Sequence, residues 1–191
     1  DFDIACATCV NPTATFTIVP DCANGQFSID VDVTNIGSAT SLAISDGTTN
    51  LTGISATGVQ TFGPYADGAS ATISITNEQD AGCSISSGAL DYVCPPTNDD
   101  CVNAIAVNCG DVVTGSTANG TTDSGNNSSA DVWYSYSGAA GDITVSLCNN
   151  TAYDSYLRVF DACGGTEIEF NDDFCDAQSQ VTFAADGTTT Y

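Results

Sequence analysis

The chain has no histidine, no lysine and no methionine, and Arg158 is the only basic residue among its 191. Without imidazole or amine side chains, a histidine general base, a Schiff-base lysine and a zinc site built on histidine are excluded. Against the single cation stand 24 carboxylates, for a formal net charge of -23. Nucleic acid and anionic membrane surfaces would be repelled by such a surface, so neither is expected as a partner. No apolar run reaches the length of a membrane-crossing helix, and direct membrane insertion is not expected.

Paired carboxylates are the catalytic option that this composition leaves. They need one buried acid with a raised pKa in a cleft, whereas most acids here stand in turn-like sequence. The chain is therefore expected not to be an enzyme. Acids that lack cationic partners must tolerate repulsion or recruit cations from the medium, and calcium is the expected cation.

Ile, Leu, Val and Phe make up about a fifth of the residues, which together with the high charge lies near the border with disorder. Ten cysteines and clean alternation argue for small cross-linked β domains in an oxidising, extracellular or cell-surface setting. Cys6 and Cys9 in CATC have the spacing of a redox pair, but no βαβ pattern follows them.

Alternation with period two recurs along the chain. In QFSIDVDVTN, Phe27, Ile29, Val31 and Val33 alternate with Ser28, Asp30, Asp32 and Thr34, as in a strand with one wet face. The same pattern places strands around Phe16 and Ile18, Leu42 and Ile44, Ile73 and Ile75, Ile143 and Val145, Leu157 and Val159, Ile168 and Phe170, and Val181 and Phe183. Turn formers such as SDGTTN and YADGAS stand between them. Val102 to Val107 leaves room for one turn of helix. The fold class is thus all-β, with two consecutive antiparallel β-sandwiches. CPPTNDDC, from Cys94 to Cys101, is the expected joint, stiffened by Pro95 and Pro96.

The stretches PPTNDDCVNAIAVNCGDVVTGSTANGTTDSG, DVWYSYSG, GDITVSLC, YDSYLRVFDACGG, NDDFC and QSQVTFAADGTTTY follow one another through residues 95–191. In that order they resemble the bacterial pre-peptidase C-terminal (PPC) domain found in secreted surface proteins of Bacteroidetes. Residues 7–94 resemble the immunoglobulin- or fibronectin-like modules that accompany such domains. The resemblance implies an Ig-like sandwich followed by a PPC-like, jelly-roll-like sandwich lacking its last strands. DFDIAC, residues 1–6, resembles the closing strand of a preceding PPC-like module, so the chain is expected to be one period of an array.

Under that division Cys9, Cys22, Cys83 and Cys94 form two bonds in the first domain, expected as Cys22–Cys83 with Cys9–Cys94. Cys101–Cys109 is the expected short loop of the second domain, and Cys148, Cys163 and Cys175 stay unassigned. Cys6 would complete the second-domain set in a neighbouring copy. The resemblance thus implies an extracellular repeat unit of a surface adhesin, stalk or filament, whose partners are neighbouring copies of itself. The alternative is a carbohydrate-binding accessory region of a secreted enzyme, with glycans as partners.

Seven residues are the candidate calcium ligands: Asp99, Asp100, Asp154, Asp161, Asn171, Asp172 and Asp173. They lie in two NDD turns and at strand ends, where carboxylate, amide and carbonyl oxygens can converge. No EF-hand loop is present. Arg158 is expected to lie over an aromatic ring and meet Glu167 or Glu169 on the adjacent strand. Trp133 is expected in the core, with Tyr134 and Tyr136 as the alternative sugar-stacking surface.

Overall fold

A computed structural model of the chain describes residues 9–123, 128–148 and 151–191. The chain divides between Cys94 and Pro95 into two compact units. The first contains β1 (Thr13–Asp21), β2 (Gln26–Asn35), β3 (Leu42–Ser45), β4 (Asn50–Ile54), β5 (Gly58–Ala66), β6 (Ser70–Asn77) and β7 (Asp80–Asp91). These form two antiparallel sheets, of order β1-β2-β5 and β4-β3-β6-β7.

Alternation decides which side of each strand is wet. Phe27, Ile29, Val31 and Val33 are fully buried, while the intervening Ser28, Asp30 and Asp32 stay partly exposed. Phe62 of β5, Leu42 and Ile44 of β3, and Ile73 and Ile75 of β6 complete one core shared by both sheets. The unit is therefore sandwich-like, and each such side chain contributes about 1.5–3 kcal/mol by leaving water. Where β1 turns into β2, Gly25 takes a left-handed φ of 63°, and the Asp21 carboxylate accepts hydrogen bonds from the Asn24 and Gln26 amides. Gly37, at φ 65°, lies so close to the Val10 and Asn11 carbonyls that no Cβ would fit.

The disulfides of this unit are Cys9–Cys83 and Cys22–Cys94, with Cα atoms 6.0 and 5.6 Å apart. They correct the expected pairs Cys9–Cys94 and Cys22–Cys83. The reason is strand direction. Cys9 precedes β1 and Cys22 follows it, just as Cys83 lies early in β7 and Cys94 lies beyond its end. The two edge strands run the same way, so start meets start and end meets end. Both bonds close the sandwich along one side.

The second unit has smaller sheets. A 3-10 turn at Cys101–Asn103 is followed by β8 (Ile105–Ala106), which pairs in parallel with β9 (Tyr134–Ser135). Strand β10 (Gly141–Ser146) pairs with β13 (Gln180–Ala185), and β11 (Leu157–Phe160) with β12 (Glu167–Asn171), both antiparallel. Tyr136, Val159, Val181, Phe183 and Ala185 form its core, and Tyr191 packs its ring on Phe183 at 5.0 Å. Backbone hydrogen bonds of 2.9 Å in both directions join Tyr136 to Tyr191.

Two expectations are corrected in this unit. Ile168 and Phe170 are 42% and 54% exposed and do not face the core. A bulge between Val159 and Phe160 makes Ile168 an extra residue in the ladder, and Phe170 lies opposite Arg158. The disulfides are Cys101–Cys163 and Cys148–Cys175, which replaces the expected Cys101–Cys109. After the 3-10 turn the chain departs in β8 and carries Cys109 away, while the β11–β12 turn brings Cys163 within 5.7 Å of Cys101, Cα to Cα. Cys109 is an exposed thiol 3.5 Å from the Tyr136 hydroxyl. Cys6 and the expected strand over residues 1–6 lie outside the described residues.

Candidate metal centre

Three of the seven proposed ligands converge. Carboxylate oxygens of Asp154, Asp172 and Asp173 lie within 4.8 Å of one another, and all three residues are exposed. Asp154 stands in the loop before β11, and the other two follow β12 directly.

Two buried serines bring these loops together. Ser155 and Ser179 are 3% and 0% exposed. The Ser179 amide donates to Ser155 Oγ at 3.0 Å, and the Ser155 amide donates to the Ala177 carbonyl at 2.9 Å. The Ser179 hydroxyl reaches the Asp172 carbonyl at 2.7 Å and also approaches the Ser155 carbonyl. The Leu147 amide adds a bond of 3.0 Å to the Ser179 carbonyl, and Cys148–Cys175 ties the same two segments covalently. Phe174 and Cys175 both donate their amides to the Gln178 carbonyl, which closes the turn after Asp173. Asp154 and Asp172 are each next to a backbone group held in this network, so their side chains share one patch of surface.

At such a separation two carboxylates repel by about 0.9 kcal/mol in a water-like dielectric, and by roughly half that at physiological salt. A hard divalent cation would reverse the sign. Calcium takes six to eight oxygens in flexible geometry, and three carboxylates offer between three and six. The donor set contains neither sulfur nor imidazole, which suits calcium or magnesium over the softer metals.

The other four candidates stand apart from this group, and three of them have their side chains engaged elsewhere. Asp99, 7% exposed, accepts from the Thr121 amide at 2.6 Å and from its hydroxyl at 3.1 Å. Its neighbour Asn98 donates from its side chain to the Trp133 carbonyl at 2.8 Å, so this NDD turn anchors β9. Asp100 is exposed and precedes the 3-10 turn, with its carbonyl accepting from the Asn103 amide. Asp161 accepts from the Thr166 amide at 2.6 Å and braces the β11–β12 turn. The Asn171 side chain accepts from the Gln180 amide at 3.1 Å. A second group, Cys9, Asp80 and Cys83, has both its sulfurs in a disulfide and so offers no thiolate.

Several acids are fixed in their ionised form by turn donors. The Thr188 and Thr189 amides hold the Asp186 carboxyl well below the usual range. Burial pushes the Asp46 carboxyl up, but the Thr49 amide, the Tyr65 hydroxyl and Thr48 outweigh it and bring the pKa down to about 2. Asp186 also borders an open trough of about 490 Å³, together with Asp161, Glu169 and Tyr191.

Arg158 forms an ion pair with Glu167, and its guanidinium lies 5.3 Å from the centre of the Phe160 ring. Trp133 packs on that same ring at 5.5 Å. Tyr136 is 8% exposed and belongs to the core, so it is not part of an open aromatic shelf. Among the described residues the exposed rings are Tyr153, Tyr156, Phe170 and Phe174. Their sequence signal is an aromatic on each side of the acids, in YDSY and FNDDF, whereas nothing in the sequence marks Ser155 and Ser179 as buried. No family model, curated protein or solved structure matches the chain.

Proposed function

We propose that the chain is a non-catalytic, extracellular structural unit of a surface adhesin, stalk or filament, assembled with neighbouring copies of itself. The observation that carries this reading is how the connector is anchored. Cys94 and Cys101, which bound the connector CPPTNDDC, are each tied back into their own unit, through Cys22–Cys94 and Cys101–Cys163. Tension along the chain would pass into those bonds before it reached most of the sheet ladders.

Calcium held by Asp154, Asp172 and Asp173 is part of the proposal. It would neutralise a repulsive patch and fasten the loop before β11 to the turn after β12. The resemblance of residues 95–191 to PPC domains, and of residues 7–94 to Ig- or fibronectin-like modules, supports a role in a secreted multidomain assembly. Electron microscopy of the native surface material, with calcium and after EDTA, tests the reading. Regularly repeating copies, less ordered after EDTA, are expected. Isolated, unassembled chains in both conditions would overturn it.

A further inference from the structure

We propose that the exposed aromatic face of the β11–β12 ribbon, with Asp154 and Asp172 at its end, binds a neutral carbohydrate chain. All four exposed aromatic side chains among the described residues fall between positions 153 and 174, where they flank the carboxylate group. Tyr156 and Phe170, 41% and 54% exposed, have parallel rings, 14° between planes and 5.9 Å between centroids.

The ladder explains their meeting. Arg158 is opposite Phe170 and Leu157 is opposite Asn171, so Tyr156 and Phe170 are diagonal neighbours on one face. Two residues outward in each chain, beyond the ends of β11 and β12, stand the exposed Asp154 and Asp172. On the inner side of the rings lies the Arg158–Glu167 pair. The exposed ring pair is thus followed in both chain directions by exposed carboxylates that lie together.

The chemistry of the strip narrows its occupant. Ionised carboxylates only accept hydrogen bonds, so the ligand must bring donors. The rings require a flat C–H surface. An apolar protein face would bury the carboxylates without partners, at a cost of several kcal/mol per ion. A nucleic acid or an acidic glycan would meet a chain of net charge -23. At this strip another copy would set the same carboxylates against these, and its Arg158 is already paired with Glu167. A neutral saccharide has both a C–H face for the rings and hydroxyl donors for the acids. This inference does not depend on the structural role proposed above, since calcium at the carboxylates would leave coordination positions for the same hydroxyls.

The test uses the intact chain on an array of neutral glycans, followed by affinity electrophoresis in mannan, dextran and β-glucan, each with calcium and with EDTA. Retardation by at least one neutral polysaccharide is expected in at least one of the two buffers. Tyr156→Ala and Phe170→Ala should each weaken it about three- to tenfold. Each variant loses the same stacked pair, so the urea midpoint followed by Trp133 fluorescence should fall only slightly and alike in both, with a cooperative transition retained that separates lost binding from lost folding. The inference is overturned if no neutral glycan binds, if both ring variants bind as well as the parent, or if only a cationic peptide is retained.

Discussion

Replacing Asp172 by Asn should change stability in opposite directions with and without calcium. In EDTA the variant loses two of the three repulsive pairs among carboxylates that lie within 4.8 Å of one another. Each is worth about 0.5 kcal/mol after screening, so the second unit should gain about 1 kcal/mol. In calcium at a hundred times its dissociation constant, the parent protein gains about 2.7 kcal/mol, and a site with one carboxylate fewer gains much less. The order of stability therefore reverses. Urea unfolding followed by Trp133 fluorescence measures this directly, because the chain has one tryptophan and it lies in the second unit. If Asp172→Asn gives no gain in EDTA, the carboxylates do not repel as their separation requires. If parent and variant gain equally from calcium, the cation is bound elsewhere.

Removing the Cys148–Cys175 bond as the double serine variant should cost the second unit about 3.5 kcal/mol, from a sequence separation of 27, and should leave the first unit's transition in place. Circular dichroism alongside Trp133 fluorescence separates the two transitions. Tyr65→Phe removes the 2.7 Å hydrogen bond to Asp46, whose carboxyl is held at about 2 against an ordinary 3.8. A depressed carboxyl contributes stability above its unfolded value and loses it as the pH falls through the folded one. Without the Tyr65 donor the folded value rises, so acid unfolding of the first unit should begin at higher pH while the Trp133 signal is unaffected. An unchanged acid midpoint would show that the hydroxyl contributes nothing to holding Asp46 ionised.

Strand alternation made much of the first unit legible, because Phe27 to Val33 spell out the buried face of β2 residue by residue. The same rule failed at Ile168 and Phe170, where a bulge shifts the register and no other strand pairs with β12 among the described residues. Cysteine partners were not legible, since choosing Cys9–Cys83 over Cys9–Cys94 requires knowing that β1 and β7 run in the same direction. Of the seven proposed calcium ligands, Asp154, Asp172 and Asp173 come together. What separates them from Asp99 is the seryl pair Ser155 and Ser179, formed by residues 24 apart, which gathers one set of loops. Asp99 instead serves the Thr121 backbone. A local pattern of acids cannot encode that difference.

Pulling single oxidised molecules from both ends tests most directly the claim that the disulfides carry load through both units. With Cys9–Cys83 and Cys22–Cys94 intact, the shortest covalent path from Cys9 to Cys94 leaves about 11 residues to extend, or about 40 Å, against about 300 Å after reduction. In the second unit Cys101–Cys163 leaves about 100 Å between Cys101 and Tyr191. Cys101–Cys109 in its place, with Cys148–Cys175 kept, would leave about 190 Å. The account predicts the two short extensions, each lengthening severalfold on reduction. Long extensions from the oxidised protein would contradict it.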